Sequence, residues 1–201
     1  MVYSPIMRGP EKQFDRDEVL GKAMELFWNQ GYAPTGMTQL LKTMGIGRQS
    51  LYDTFGDKKS LYLAALDRYF TFMGEQWKKE LDGPGSPLGN LKKLFRRIME
   101  VGEETGFCGC FIGNAMAEFG DCDEDVRRVL GKALDRMERM LAGTLQRAKE
   151  AGELSPQARP RDLAKLLVVT IQGSALLSKL EPHRKHAEET LQIVFGVLET
   201  N

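Results

Sequence analysis

The chain falls into helix-length apolar stripes cut by glycine and proline, and nowhere sustains the apolar–polar alternation of a strand. That pattern admits an all-α fold of about nine helices. Residues 15–30 place Val19, Leu20, Ala23, Leu26 and Phe27 on one stripe, with Asp15 and Glu18 at capping-box spacing and Gly31 suited to the exit. A short piece over 37–44 carries Leu40, Leu41 and Met44 and meets Gly45-Ile46-Gly47. A second short piece, 48–55, sets Leu51 and Phe55 four apart on one face. Asp57 can cap a longer helix to about residue 81, striped by Leu61, Ala65, Tyr69, Phe72, Met73 and Trp77.

GPGSPLG at 83–89 is the clearest break. Helical spacing resumes over 88–104, 110–119, 123–151, 161–180 and 184–199. These breaks predict a small head over 1–56, a connecting helix over 57–81 and a larger helical domain over 82–201. A chain of 201 residues with 42% hydrophobic and 28% charged side chains buries a sizeable core and excludes collagenous, disordered and disulfide-stapled classes. No run approaches 18 apolar residues, and MVYSPIMRGPEKQFD has no signal-like core, so the expectation is a cytoplasmic protein without a membrane partner. Three cysteines, an odd number, point to reduced thiols.

The last two helices stand apart. Residues 163–180 (LAKLLVVTIQGSALLSKL) are apolar nearly all round, so both faces need cover. Residues 187–198 carry Leu191, Val194, Phe195 and Leu198 on one side, with Ile193 and Val197 elsewhere. One reading is a central core helix in a monomer. The other packs one face within the subunit and the second against a symmetry mate, through Leu166, Val169, Leu176, Leu177, Leu191, Val194, Phe195 and Leu198. Two such helices at the C-terminus favour the homodimer.

Two short helices around Gly45-Ile46-Gly47 form a helix-turn-helix pattern whose second helix reads a major groove. Leu51 and Phe55 anchor that helix inward, leaving Arg48, Gln49, Ser50, Tyr52, Asp53 and Thr54 outward. Its donors cluster at the N-terminal end, where the helix dipole favours phosphate. The stretch GMTQLLKTMGIGRQSLYDTFGDKKSLYLAAL, residues 36–66, resembles the TetR family of transcriptional regulators, as does AMELFWNQGYAPTGMT, residues 23–38. The resemblance implies a three-helix DNA-binding head, a fourth helix leading out of it, and an α-helical ligand-binding and dimerisation domain.

Carried over by position, Arg48, Gln49 and Ser50 match the start of the recognition helix. Tyr52 matches a phosphate-contacting tyrosine, and Lys58 a lysine that also reaches the backbone. Arg48 suits guanine, Gln49 adenine, and Thr38 and Lys42 flank. Two positions depart from the pattern. Gly36 stands where Ser or Thr usually caps, and Asp53 sits where phosphate is near; it either accepts from a cytosine or orients Arg48. Arg8 is either a minor-groove arm or part of a tail without a role.

GFCGCFIGNAMAEFG, beginning at 106, resembles a Gly-Cys-apolar-Asn segment of some family members whose cysteine reacts with electrophiles or oxidants. Cys108 and Cys110 are the redox candidates here, with Arg96 or Arg97 as cations; the other reading makes them small buried hydrophobes. A small-molecule pocket draws on Phe95, Met99, Phe107, Phe111, Asn114, Met137, Met140, Leu141, Thr170 and Gln172, with Met116 and Phe119 nearby, and ten methionines suit an adaptable cavity. Cys108-x-Cys110 with Cys122, or His183 with His186, lacks metal-site spacing, and no cofactor motif or catalytic constellation of an enzyme is present.

The expectation is therefore a ligand- or stress-responsive repressor, a homodimer on a pseudo-palindromic double-stranded operator, released by a small-molecule effector. The alternatives are a helical dimeric ligand-binding or interaction protein without DNA binding and, as a sensing mode, a cysteine-based redox or electrophile sensor. Net charge is zero, 28 basic against 28 acidic. Residues 35–60 still hold Lys42, Arg48, Lys58 and Lys59 against Asp53 and Asp57, which predicts a modest salt dependence.

Overall fold

The structure is a computed structural model of the chain. It describes residues 14–106, 108–180 and 184–200, with 184, 187, 188 and 197–200 described by backbone alone. The described residues hold nine α-helices and no strand, in two compact units, Met1–Ala65 and Leu66–Asn201.

The first unit contains α1 (Arg16–Gln30), α2 (Met37–Met44), α3 (Arg48–Phe55) and the start of α4 (Lys58–Leu81). Asp15 starts α1 by accepting from the Asp17 and Glu18 amides at 2.7 and 3.3 Å, and Gly31 ends it. The reciprocal half of a capping box is not formed: the Glu18 carboxylate takes Lys22 Nζ at 2.6 Å instead. Val19, Leu20, Ala23 and Phe27 are buried, as are Leu40, Met44, Leu51 and Leu61 of the following helices, and α1 packs on α2. Burying each of these larger side chains contributes about 1.5–3 kcal/mol. Phe27, Tyr32 and Tyr62 form an aromatic corner, with both Phe27 and Tyr32 edge-on to Tyr62 at 5.0 Å. Thr35 is fully buried, and its hydroxyl is satisfied by donating to the Gly31 carbonyl at 2.6 Å.

The second unit adds α5 (Pro87–Glu104), α6 (Phe111–Phe119), α7 (Glu124–Glu150), α8 (Pro160–Leu177) and α9 (Arg184–Thr200) to the rest of α4. Helix α7 is the spine, with α5, α6 and α8 packed against it and α9 lying on α8 and α5. The Gly-Pro break at 83–89 becomes an ordered corner. Ser86 caps α5 through the Gly89 amide at 2.9 Å, buried Asn90 donates to the Gly83 carbonyl at 2.6 Å, and Glu153 accepts from the Leu88 amide at 2.8 Å. No described helix is long and apolar enough to cross a membrane.

Candidate nucleic-acid interface and sensing surfaces

The turn between α2 and α3 is set by backbone geometry. Gly45 adopts φ +69°, left-handed, and its amide closes α2 on the Leu41 carbonyl at 3.0 Å. A side chain with a Cβ is strained there, which is why glycine occupies the position. Gly47 then starts α3, and neither Gly36 nor Gly47 offers a side chain to cap the first amides of its helix. Those amides point outward from the positive end of each dipole.

Leu51 is fully buried and Phe55 nearly so, so α3 is pinned by one face. On the other face Arg48, Gln49, Asp53 and Tyr52 are exposed, Tyr52 with 43% of its surface open, and Ser50 is half-buried at the margin. Thr38 and Lys42 of α2 are exposed as well.

Two expectations change. Thr54 does not face out with the others; it is half-buried, and its Oγ1 is buried with no hydrogen-bond partner among the described residues. Position 54 lies three past Leu51, so helical rotation carries it toward the core side. Asp53 does not orient Arg48: its Oδ1 accepts from Gln49 Nε2 at 2.8 Å, the neighbour one turn back. Lys58 is half-buried, its Nζ 4.2 Å from the centre of the Tyr32 ring. Sequence reading also missed Arg16. Its guanidinium lies 5.2 Å from the Phe55 ring, a basic group brought to the end of α3 by packing of α1. Arg8 lies outside the described residues.

In the second unit, Cys110 is the cap residue of α6. Tyr69 points its hydroxyl at Cys110 Sγ, 3.9 Å away, and stacks edge-on against Phe111 at 5.6 Å. Burial first, then the Cys110 thiol, pushes the Tyr69 hydroxyl well above its ordinary range, so it stays protonated. Cys108 is half-buried and donates to the Thr105 carbonyl at 2.9 Å, while Cys122 is exposed. Asn114 ties this loop down, donating to the Cys108 carbonyl at 2.8 Å and accepting from Lys179 at 3.0 Å. Gly109, at φ +77°, fits where a Cβ would meet the Ala175 carbonyl at 3.2 Å. Arg97, one of the two cations expected beside the thiols, pairs with Glu100 and Glu104 at 3.2 and 3.1 Å.

The residues expected to line a pocket lie in different surroundings. Phe95 and Met99 border a groove between α5 and α9. Phe111, Met137 and Leu141 belong to the buried core, and Met140 is half-buried. Thr170 spends its hydroxyl on the Leu166 carbonyl at 2.9 Å. Gln172 directs Nε2 toward Met137 Sδ at 4.0 Å and leaves Oε1 buried with no hydrogen-bond partner among the described residues. Phe107 and His183 lie outside the described residues, among which no three His, Cys, Asp or Glu side chains converge as a metal site does.

Helix α8 has the two apolar faces its sequence requires. Ala164, Leu167 and Ile171 face inward, while Leu166, Val169, Leu176 and Leu177 are 47–70% exposed, continued by Leu180 at 58%. Helix α9 reverses the expected face. Leu191 and Phe195 are buried within the subunit, Phe195 against Phe95 at 5.3 Å, and Val194 is half-buried. Ile193, expected to lie elsewhere, is 67% exposed and is the outward apolar residue. The side chain of Leu198 lies outside the described residues. The main stripe of an amphipathic helix satisfies its own subunit first; the signal for the outward face was the odd apolar residue on its polar side.

Comparison with known proteins agrees with this geometry. The model of "Bacterial regulatory proteins, tetR family" matches residues 19–65, and that of "Tetracyclin repressor-like, C-terminal domain" matches residues 87–194. The HTH-type transcriptional repressor ComR of Escherichia coli K12 is 30% identical over 86% of this chain and 83% of its own. The crystal structure of regulatory protein TetR from Rhodobacter sphaeroides superposes with a TM-score of 0.83 at 26% identity, covering 89% of this chain and 96% of that one. A cysteine mutant of the regulator CifR, complexed with 26 bp of operator DNA, gives 0.79 at 25%, covering 92% and 97%. The chain belongs to the TetR family of bacterial transcriptional regulators.

Proposed function

We propose that this regulator is a repressor that sits as a homodimer on a pseudo-palindromic operator and leaves it when an effector occupies the second unit. Family membership makes double-stranded DNA the partner of the head, and its relatives are regulators of transcription, not enzymes. The observation that carries the reading is α3: Leu51 and Phe55 pin one face while Arg48, Gln49 and Tyr52 stand exposed on the other. Arg48 takes a guanine edge and Gln49 an adenine edge; Tyr52, Ser50, Thr38, Lys42 and Lys58 position the head on phosphates. Arg16 joins them as a further phosphate contact. The outward stripe of α8, with Ile193, supplies the two-fold contact, so two copies of α3 meet successive half-sites roughly 34 Å apart or a multiple of it. The work takes place in the cytoplasm, where the DNA is.

Release follows from differential affinity: an effector that prefers the non-binding arrangement draws the population there through α4, the helix shared by both units. A thiol-based trigger is the second reading. It is favoured by the place of Cys110 at the N-terminal end of α6, with the Tyr69 hydroxyl directed at its Sγ. The Cys110 thiol adds across an activated carbon–carbon double bond of the electrophile: the π bond breaks, a C–S bond forms at one carbon, and the thiol proton ends on the other.

Fluorescence anisotropy against fragments from upstream of the regulator's own gene tests the repressor reading. A saturable, salt-dependent shift on a palindromic fragment is expected, and none on any fragment sinks it. Cys110→Ser keeps operator binding and loses release by an electrophile; release that persists in this variant removes the thiol reading.

A further inference from the structure

Tyr32 lies in the turn between α1 and α2, yet its ring serves the first turns of α4 in the same unit. Lys58 and Tyr62 stand four apart on one face of α4, and both meet that ring. Lys58 Nζ lies 4.2 Å from the ring centre, and the Tyr62 ring is edge-on at 5.0 Å and 64°. Phe27 of α1 stacks on Tyr32 at 6.2 Å and 23° and meets Tyr62 edge-on at 5.0 Å.

This platform is stiff. Phe27 and Tyr62 are 0% and 1% exposed, so the half-buried Tyr32 ring rests on close-packed core. The buried Thr35 hydroxyl pins the turn that carries Tyr32 by donating to the Gly31 carbonyl at 2.6 Å. An ammonium this near a ring face is attracted by the ring quadrupole. It has three donors, so a ring on one side leaves room for a phosphate oxygen on another. A lysine side chain also carries much rotamer entropy, and a phosphate contact costs less of it when the ammonium is already placed.

We propose that Tyr32 is a positioning residue for operator binding: the face of its ring holds the Lys58 ammonium where it meets a backbone phosphate. The proposal rests on the operator reading above, which supplies the phosphate, and adds a residue that acts through Lys58 and not on the bases. Phosphate is the same in every sequence, so Tyr32 sets affinity and leaves base choice alone.

Anisotropy titrations of the full-length protein against the palindromic fragment and an unrelated duplex, at several salt concentrations, test it. Tyr32→Leu is expected to bind both duplexes about two- to fivefold more weakly, with the salt slope kept because the charge remains. Lys58→Ala lowers the slope by about one, and Tyr32→Leu adds no further loss in that background. Tyr32→Phe, which retains the ring, binds as the wild type does. In the DNA-free wild type with isotopically methylated lysines, the Lys58 signal, assigned by its loss in Lys58→Arg, lies upfield through the ring current; this measurement needs no substitution at position 32. The proposal is overturned by a Tyr32→Leu loss that persists undiminished in the Lys58→Ala background, by wild-type binding in Tyr32→Leu, by Tyr32→Phe binding as weakly as Tyr32→Leu, or by an unshifted Lys58 signal. An unchanged salt slope in Lys58→Ala also overturns it while the operator reading stands, whereas absence of binding to any duplex removes both.

Discussion

Gln49 Nε2 donates to Asp53 Oδ1 at 2.8 Å across one turn of α3, so the only acid of the recognition helix holds its amide. One N–H and the carbonyl oxygen of Gln49 remain for an adenine edge, already oriented. Asp53→Ala is expected to release that amide and remove a charge that repels phosphate. Discrimination at one base pair then falls by about 1 kcal/mol, toward the low end of what a bidentate base contact supplies, while affinity for unrelated DNA rises. Anisotropy titrations on the operator and its single-base variants check both.

Tyr52→Phe deletes one hydroxyl from an exposed ring and leaves Leu51 and Phe55 in place. Binding should weaken by a similar factor on every sequence, about 1 kcal/mol, with an unchanged salt slope. Lys42→Ala, on exposed α2, should instead lower the slope by about one. Titrations at several salt concentrations separate the two.

Thr54 carries a buried hydroxyl oxygen without a partner among the described residues. Thr54→Val keeps the shape and removes the desolvated group, so the protein should gain up to about 1 kcal/mol of stability with operator affinity unchanged. A lower melting temperature, or loss of DNA binding, refutes this placement.

Val169 and Leu191 answer differently. Val169 is 70% exposed on α8, so Val169→Arg should yield folded monomers with helicity retained. Leu191 is buried in its own subunit, so Leu191→Ala should cost about 2–5 kcal/mol of stability. Analytical ultracentrifugation and thermal melts distinguish the outcomes.

The Asp57 carboxyl is held below its ordinary value first by the Ser60 amide, at 2.7 Å, then by the Ser60 hydroxyl. Its folded value lies under the unfolded one of about 3.9, so the unfolded chain binds the extra proton. The contribution is therefore complete above the unfolded value and is lost as pH falls through the folded one. Asp57→Asn retains an acceptor at the start of α4 without titrating, and its melting temperature should fall less steeply below about pH 4.

Most of the helix map was readable before any coordinates. The Asp15 cap, the Gly31 and Gly45 ends, the Leu51–Phe55 anchor and the exposed Arg48, Gln49 and Tyr52 all depend on neighbours within about one helical turn. The side chains at the edges of a stripe were harder. Thr54 turns in and Lys58 lies over Tyr32, because each placement depends on what packs nearby, while Asp53 takes Gln49 of its own helix over Arg48, a choice between two neighbours that spacing alone leaves open.

The amino-acid order thus specified where helices start and stop, that α8 must cover two faces, and which residues open the recognition helix. These are local interactions that repeat at helical spacing, and they survive whatever the chain does elsewhere. Which face of α9 turns outward was settled only when Phe95 of α5 came to lie against Phe195, leaving Ile193 exposed. Such partners are remote in sequence, and periodicity carries no information about which stripe a distant helix will cover.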